Sequence, residues 1–231
     1  MANKLSNPLK VVITGGLGAL GRSVDAVLAA RGAQVILLDR APSAEVLGVA
    51  GVLGDVDLGD PAKAAAAFSQ AAQLLGGIDA LVNVAGGFQW ETLEAGSIDT
   101  WDRLYATNLR TAVIACKEAL PYLRQQICGR IVNIGALASV QAGVGMGAYA
   151  ASKAGVARLT EALAQELKDQ HINVNAVLPS IIDTPANRRD MPDADVTRWV
   201  TTQELGGVIA FLLSDDASAI TGACLPVAGR V

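Results

Sequence analysis

The chain has 231 residues, a formal net charge of −4, 52% hydrophobic residues and only 17% charged ones. A pI of about 5.0, with no Lys/Arg run beyond Arg188-Arg189, argues against a nucleic-acid partner. No apolar stretch reaches the length of a membrane span, the opening Met1–Pro8 has no hydrophobic signal core, and 24 glycines with so little charge argue against disorder.

The length suits a single domain over residues 1–231. The mean hydropathy of +0.38 fits strands buried on both faces together with an oligomer interface. Cys116, Cys128 and Cys224 are scattered and odd in number. With His171 as the single histidine they form no metal-ligand cluster, and they read as reduced thiols of a cytoplasmic protein.

In order, short β-branched runs alternate with helical patterns. Residues 10–14 read as a strand entering a glycine-rich turn, and the helix after it carries Val24, Val27 and Leu28. A second strand over 34–38 stops at Asp39, and a third spans 49–55. Asp60 and Pro61 cap and open an alanine-rich helix that Gly76-Gly77 stops. Residues 78–83 form a fourth strand. Residues 97–123 read as one long helix with Leu104, Leu109, Val113 and Leu120 apolar, kinked or ended by Pro121. Strands over 130–134 and 172–178 flank a helix over 148–168, and a helix over 204–213 precedes a last strand over 223–227. The alternation predicts an α/β architecture: a single-domain Rossmann fold with a doubly wound, mostly parallel sheet of about seven strands. Residues 183–200 lack periodicity, carry Pro185 and Pro192 and follow a strand's C-terminal end, so they are expected to form a mobile substrate lid.

Two motifs carry chemistry. In the first, Gly15 bends the chain off its strand, Gly18 offers bare backbone to a pyrophosphate, and Gly21 lets the helix start close to the sheet. The helix amides and dipole then face the phosphates. Asp39 falls at about the distance where an acid binds the adenosine ribose. A carboxylate there repels a 2′-phosphate, which favours NAD(H) over NADP(H), although Arg22 and Arg40 could each meet such a phosphate. In the second motif, Tyr149-Ala-Ala-Ser-Lys153, residues four apart share one helix face. The lysine cation is expected to lower the phenol's pKa, making Tyr149 a general acid or base for a developing alkoxide.

With these motifs the sequence resembles the short-chain dehydrogenase/reductase family across nearly its whole length. The matches are Thr14-Gly15, Gly21, Asp55, Asn83-x-Ala85-Gly86, Asn108, Tyr149, Lys153, Pro179 and Thr184-Pro185. The resemblance implies a catalytic set of Tyr149, Lys153 and Asn108, with Asn108 ordering a water in a proton relay to Lys153 and Lys153 gripping the nicotinamide ribose. It places Asp55 at the adenine, Asn83 and Gly86 beside the adenosine ribose, and Pro179 and Thr184 at the nicotinamide carboxamide. Leu17, Leu20, Arg40, Val56, Ala85 and Ile182 complete the implied cofactor surface. It also implies a homodimer or homotetramer joined through the helices around 98–123 and 148–168, acting on a small-molecule substrate.

Three positions depart from the family pattern. Ala19 replaces a glycine of the turn, Ala136 replaces the serine thirteen residues before the tyrosine, and Ala228 replaces an aspartate. The serine would hydrogen-bond the substrate oxygen, and losing one such donor typically costs ~10²–10³ in rate. Ser139 and Gln141 are near enough in sequence to stand in. A narrower resemblance is to the dihydropteridine reductase branch, which also lacks the serine. It is carried by the Gly-x-Gly-Ala-Leu-Gly turn, by Ala85-Gly86-Gly87-Phe88 and by the lid from Leu178-Pro179 through Asp183-Thr-Pro-Ala-Asn187 to Met191-Pro and Ala194-Asp195. That branch implies a quinonoid acceptor needing a hydride and a proton but less carbonyl polarisation. Candidate substrate contacts are then Phe88, Ser139, Gln141, Asn187 and Trp199, whereas Trp90 and Trp101 read as packing residues. An NAD(H)-dependent alcohol dehydrogenase or carbonyl reductase is the alternative. A nucleotide-binding scaffold that has lost catalysis is suggested by Ala136 and opposed by the intact Tyr149, Lys153 and Asn108.

Overall fold

The computed structural model describes residues 8–231, so most of the stretch read for a signal core lies outside the described residues. The elements in order are β1 (Lys10–Thr14), α1 (Ala19–Ala29), β2 (Gln34–Leu38), β3 (Gly51–Leu53), α2 (Pro61–Leu75), β4 (Ala80–Asn83), α3 (Ile98–Leu104), α4 (Thr111–Leu123), β5 (Gly129–Ile134), α5 (Gly147–Leu167), β6 (Ile172–Pro179), β7 (Ile182–Asp183), α6 (Pro185–Asp190), β8 (Val200–Thr201), α7 (Thr202–Leu212) and β9 (Cys224–Val227). Seven strands form one sheet in the order β3-β2-β1-β4-β5-β6-β9, with every neighbouring pair parallel. The predicted doubly wound Rossmann fold is therefore present. The reversal of strand order between β1 and β4 opens a crevice at the strands' C-terminal ends.

The strand period of two sorts side chains into two cores. Val12 of β1 packs with Phe68, Ala115, Leu123 and Leu167 on one face of the sheet, while Val11 and Ile13 pack with Val24, Leu28, Leu205 and Ile209 on the other. Both faces are thus covered by helices, as an all-parallel sheet requires. Among the described residues no helix is long and apolar enough to cross a membrane.

Local signals place the helices. The Asp60 carboxylate accepts from the amides of Ala62 and Lys63, Pro61 opens α2, and Gly76 closes it. Thr201 and Glu204 form a reciprocal capping box at the start of α7. The single helix expected over 97–123 is instead three pieces. Ser97 caps α3, a π-helical turn spans Tyr105–Arg110, and α4 follows. The wide turn resets the helical phase. Val113 is exposed, and the core face of α4 is Ala115, Cys116, Ala119 and Leu123. Pro121 does not end the helix. It sits in the last turn, and α4 continues to Leu123.

The stretch over 183–200 is built rather than structureless. β7 pairs in parallel with β8, and α6 between them is capped by Thr184 and opened by Pro185. Elements of two to six residues are too short to show a period, which is why the sequence pattern there reads as irregular.

Candidate active site

The glycine turn leaves β1 through Gly15, whose φ of +64° favours a residue without a Cβ. At Gly21 a Cβ would overlap the Gly15 carbonyl, so helix α1 can begin this close to the turn only without one. Gly16, which the sequence reading passed over, is equally constrained: a Cβ there would come to 2.6 Å from that of Leu37 on β2. Gly18 is different. A Cβ would meet only the Gly15 carbonyl, at 3.4 Å, so the backbone at the start of α1 faces open space. Asp39 holds this turn in place, its carboxylate accepting from the amides of Leu17 and Ala41, both at 2.9 Å. Arg40 beside it is exposed, while Leu20 and Val56 are buried at the turn's flanks. Asp55 adopts the left-handed region at φ 58° immediately after the edge strand β3.

The other half of the crevice lies at the ends of β4, β5 and β6. Asn83 is 4% exposed, and its side chain is engaged inside the sheet. It accepts from the Thr14 hydroxyl at 3.3 Å and donates to Asn133 Oδ1 at 2.9 Å. Asn133 in turn donates to Thr160 on α5 at 2.9 Å. Thr14 Oγ1 also accepts from the amide of Ala85. This buried chain ties β1, β4, β5 and the helix bearing Tyr149 into one unit.

Asn108 lies in the π-helical turn and is 1% exposed. Its Oδ1 accepts from the Gly87 amide at 2.7 Å, and its Nδ2 donates to the Gly87 carbonyl at 3.0 Å and to Ser152 Oγ at 2.9 Å. Ser152 donates to the Tyr149 carbonyl at 2.7 Å. Asn108 thus joins the loop after β4 to the first turn of α5, a link that needs both the π-helical turn and Ser152. A Cβ on Gly86 would come to 2.8 Å from Asn108 Oδ1 and 3.3 Å from Lys153 Nζ, so only glycine leaves this floor open.

Tyr149 and Lys153 share a face of α5, but the lysine does not depress the phenol's pKa as expected. Lys153 Nζ donates to the Ile134 carbonyl at 2.8 Å at the end of β5. Burial pushes Tyr149 up to about 12 and Lys153 down to about 8. Desolvation is the cause of both shifts, and Tyr149 is held in its protonated form across neutral pH. Phe88 meets the Tyr149 ring edge-on, with centroids 4.9 Å apart and planes at 85°.

Ala136, in place of the serine, is buried after β5. Ser139 donates its hydroxyl to the Ala136 carbonyl at 2.6 Å, and Gln141 is exposed beyond it. Pro179 is buried at the end of β6, and Ile182 and Thr184 follow in β7 and at the cap of α6. Asn187 turns back on its own segment, its Nδ2 donating to the Ile182 carbonyl at 2.8 Å. Arg188 pairs with Asp183 through two bonds, one of 2.7 Å. Trp199 is buried, at 6% exposed.

The chain matches the short chain dehydrogenase family over residues 9–195. It is 32% identical to the 3-oxoacyl-[acyl-carrier-protein] reductase of Salmonella typhimurium over 231 residues, covering 94% of this chain and 95% of that protein. A short chain dehydrogenase from Burkholderia cenocepacia in complex with NADP has a TM-score of 0.89 at 30% identity, covering 98% of each chain. The 3-ketoacyl-(acyl-carrier-protein) reductase of Brucella melitensis complexed with NADH has a TM-score of 0.83 at 26% identity, covering 95% of this chain and 96% of that one. The fold, the glycine turn and the Tyr149/Lys153 pair therefore coincide with a match across the greater part of the sequence: the chain belongs to the short chain dehydrogenase family and is an oxidoreductase.

Proposed function

We propose that the protein reduces a conjugated, electron-poor acceptor with NADH, Tyr149 supplying the proton. The observation that carries this reading is the site around Ala136. The usual hydroxyl donor is absent, and the nearest replacement, Ser139, is already bonded to the Ala136 carbonyl. An acceptor reduced here must be electrophilic without a second donor to its reacting atom. A quinonoid dihydropterin meets that condition, and the turn and lid motifs shared with the dihydropteridine reductase branch favour it.

The residues present fit a nicotinamide dinucleotide, which when bound supplies the hydride. The bare backbone at Gly18 and the amides opening α1 suit its pyrophosphate. The Asp39 carboxylate, already fixed by two amides, presents its remaining lone pairs to a ribose and repels a 2′-phosphate. Lys153, beside Gly86, would hold the other ribose. Tyr149 keeps its proton until negative charge develops on the acceptor, and then transfers it. Phe88 packs edge-on against the phenol ring.

Replacing Asp39 by Ser is expected to lower NADH affinity about tenfold and to narrow the preference for NADH over NADPH, each tenfold being about 1.4 kcal/mol. Fluorescence titration of both cofactors checks it.

The relatives favour a second reading, reduction of a 3-oxoacyl thioester, since the Salmonella typhimurium and Brucella melitensis proteins are named for that reaction. NADH oxidation with quinonoid dihydrobiopterin and with acetoacetyl-CoA separates the two. The Ala136→Ser variant sharpens the test. It is expected to raise kcat/KM for the thioester about 10²-fold while leaving the quinonoid acceptor almost unchanged. Fast wild-type turnover of the thioester alone would overturn the conjugated-acceptor reading.

A further inference from the structure

Phe88, Trp90 and Val144 stand 54%, 58% and 82% exposed, and Phe88 lies against the Tyr149 ring. Exposed apolar surface gathered in one place marks a ligand or partner surface. Here it has a defined construction. Trp90 Nε1 donates to the Val144 carbonyl at 2.9 Å, and the Glu91 amide donates to the Gly145 carbonyl at 2.8 Å. The indole lies directly against Gly145, where a Cβ would overlap the ring and where φ is +73°. Gly145 is therefore the seat of Trp90. On its other side the segment is anchored by Glu91, whose carboxylate accepts from the Thr100 hydroxyl at 2.6 Å and from the Ser97 amide. Two residues before Trp90, Phe88 meets Tyr149 edge-on.

We propose that Trp90, seated on Gly145, is a specificity-determining residue that extends the Phe88–Tyr149 contact into an apolar wall for a flat, ring-shaped acceptor. The inference rests on the reductase reading above. With Ala136 in place of the serine, one hydrogen bond fewer orients the acceptor's reacting atom. Orientation must then come from area contact, and that is proportional to apolar surface covered. A fused ring offers such surface and a small aliphatic ketone does not. The Nε1 bond to Val144 fixes the indole, so the wall is formed before the acceptor arrives and little side-chain freedom is lost on binding.

The test compares two α-dicarbonyls of similar chemistry, phenanthrenequinone and diacetyl, under anaerobic conditions. In each case NADH gives a hydride, a proton completes the two-electron reduction, and the products are NAD⁺ with the hydroquinone or the hydroxyketone. Trp90→Ala is expected to raise KM for phenanthrenequinone about tenfold or more, a magnitude usual for apolar pocket contacts, with kcat little changed and diacetyl unaffected. Gly145→Ala is expected to reproduce this by unseating the indole, and Trp90→Phe to recover most of the loss. Equal changes for the two acceptors, or a fall in kcat at constant KM, would overturn the proposal. Equilibrium binding of unreactive phenanthrene to the protein with NAD⁺ is read separately. If wild type turns over neither dicarbonyl but binds phenanthrene about tenfold more tightly than Trp90→Ala, the reductase reading fails and the wall stands. Equal binding by the two proteins would remove the wall itself.

Discussion

Tyr149→Phe is expected to reduce turnover about 10²–10⁴-fold, the usual contribution of a positioned general acid, while leaving NADH binding intact. The selectivity follows from the site. Among the described residues the Tyr149 hydroxyl has no hydrogen-bond partner, so removing it strands no donor or acceptor. The ring's edge contact with Phe88 survives in phenylalanine. Thermal stability should therefore stay within the narrow range typical of benign substitutions, about ±0.5 kcal/mol. Steady-state NADH oxidation, cofactor titration and a melting curve together check it. A variant that lost activity by losing cofactor affinity or fold would show that the phenol's role is structural.

Lys153→Met is expected to do two opposite things: abolish most turnover and raise the melting temperature. Lys153 is 5% exposed, and burial holds its pKa down near 8 against an ordinary 10.5. Its folded pKa lies below the unfolded one, so between about 8 and 10.5 the unfolded chain binds more protons. Stability in that window rises with pH, and below it the full cost of burying the charge is present. An apolar side chain of similar length removes the cost; replacing a buried ion pair by apolar side chains is often neutral or gains about 1–4 kcal/mol. Each kcal/mol corresponds to roughly 2–4 °C at this chain length. The lost bond to the Ile134 carbonyl offsets part of this gain. Calorimetry from pH 7 to 10 should show the stability gap between the variant and the wild type closing in the upper half of that range. A destabilised variant would mean that the Ile134 bond outweighs desolvation.

Both predictions depend on residues the sequence named through spacing alone. Tyr149 and Lys153 are legible because a helix brings every fourth residue to one face, and helix α5 ran where its pattern placed it. Helix α2 is legible for the same local reason: a capping acid, a proline and a terminal glycine are all within its own span. What escaped is long-range. The partner of Lys153 is a carbonyl on another strand, that of Asn108 is a loop twenty-one residues earlier, and the seat of Trp90 is Gly145, far along the chain. Nothing in the composition near these residues announces such pairs. The pterin motif was likewise read from short strings, and relatives sharing the whole chain carry other names, so fold and general chemistry were far more legible than the acceptor. The phase error between 97 and 123 has a different cause: a regular period was applied across a turn that holds more residues than an α-helical one.

That π-helical turn also separates two mutational neighbourhoods. An α-helix rotates by roughly 100° per residue, so in a continuous helix any insertion upstream would swing every downstream side chain out of the core. Here the wide turn absorbs the mismatch. Helix α3 presents Thr100 to the Glu91 carboxylate, and α4 independently presents Ala115 and Ala119 to the sheet. The two helices thus take their registers separately, and the joint between them is the one carrying Asn108.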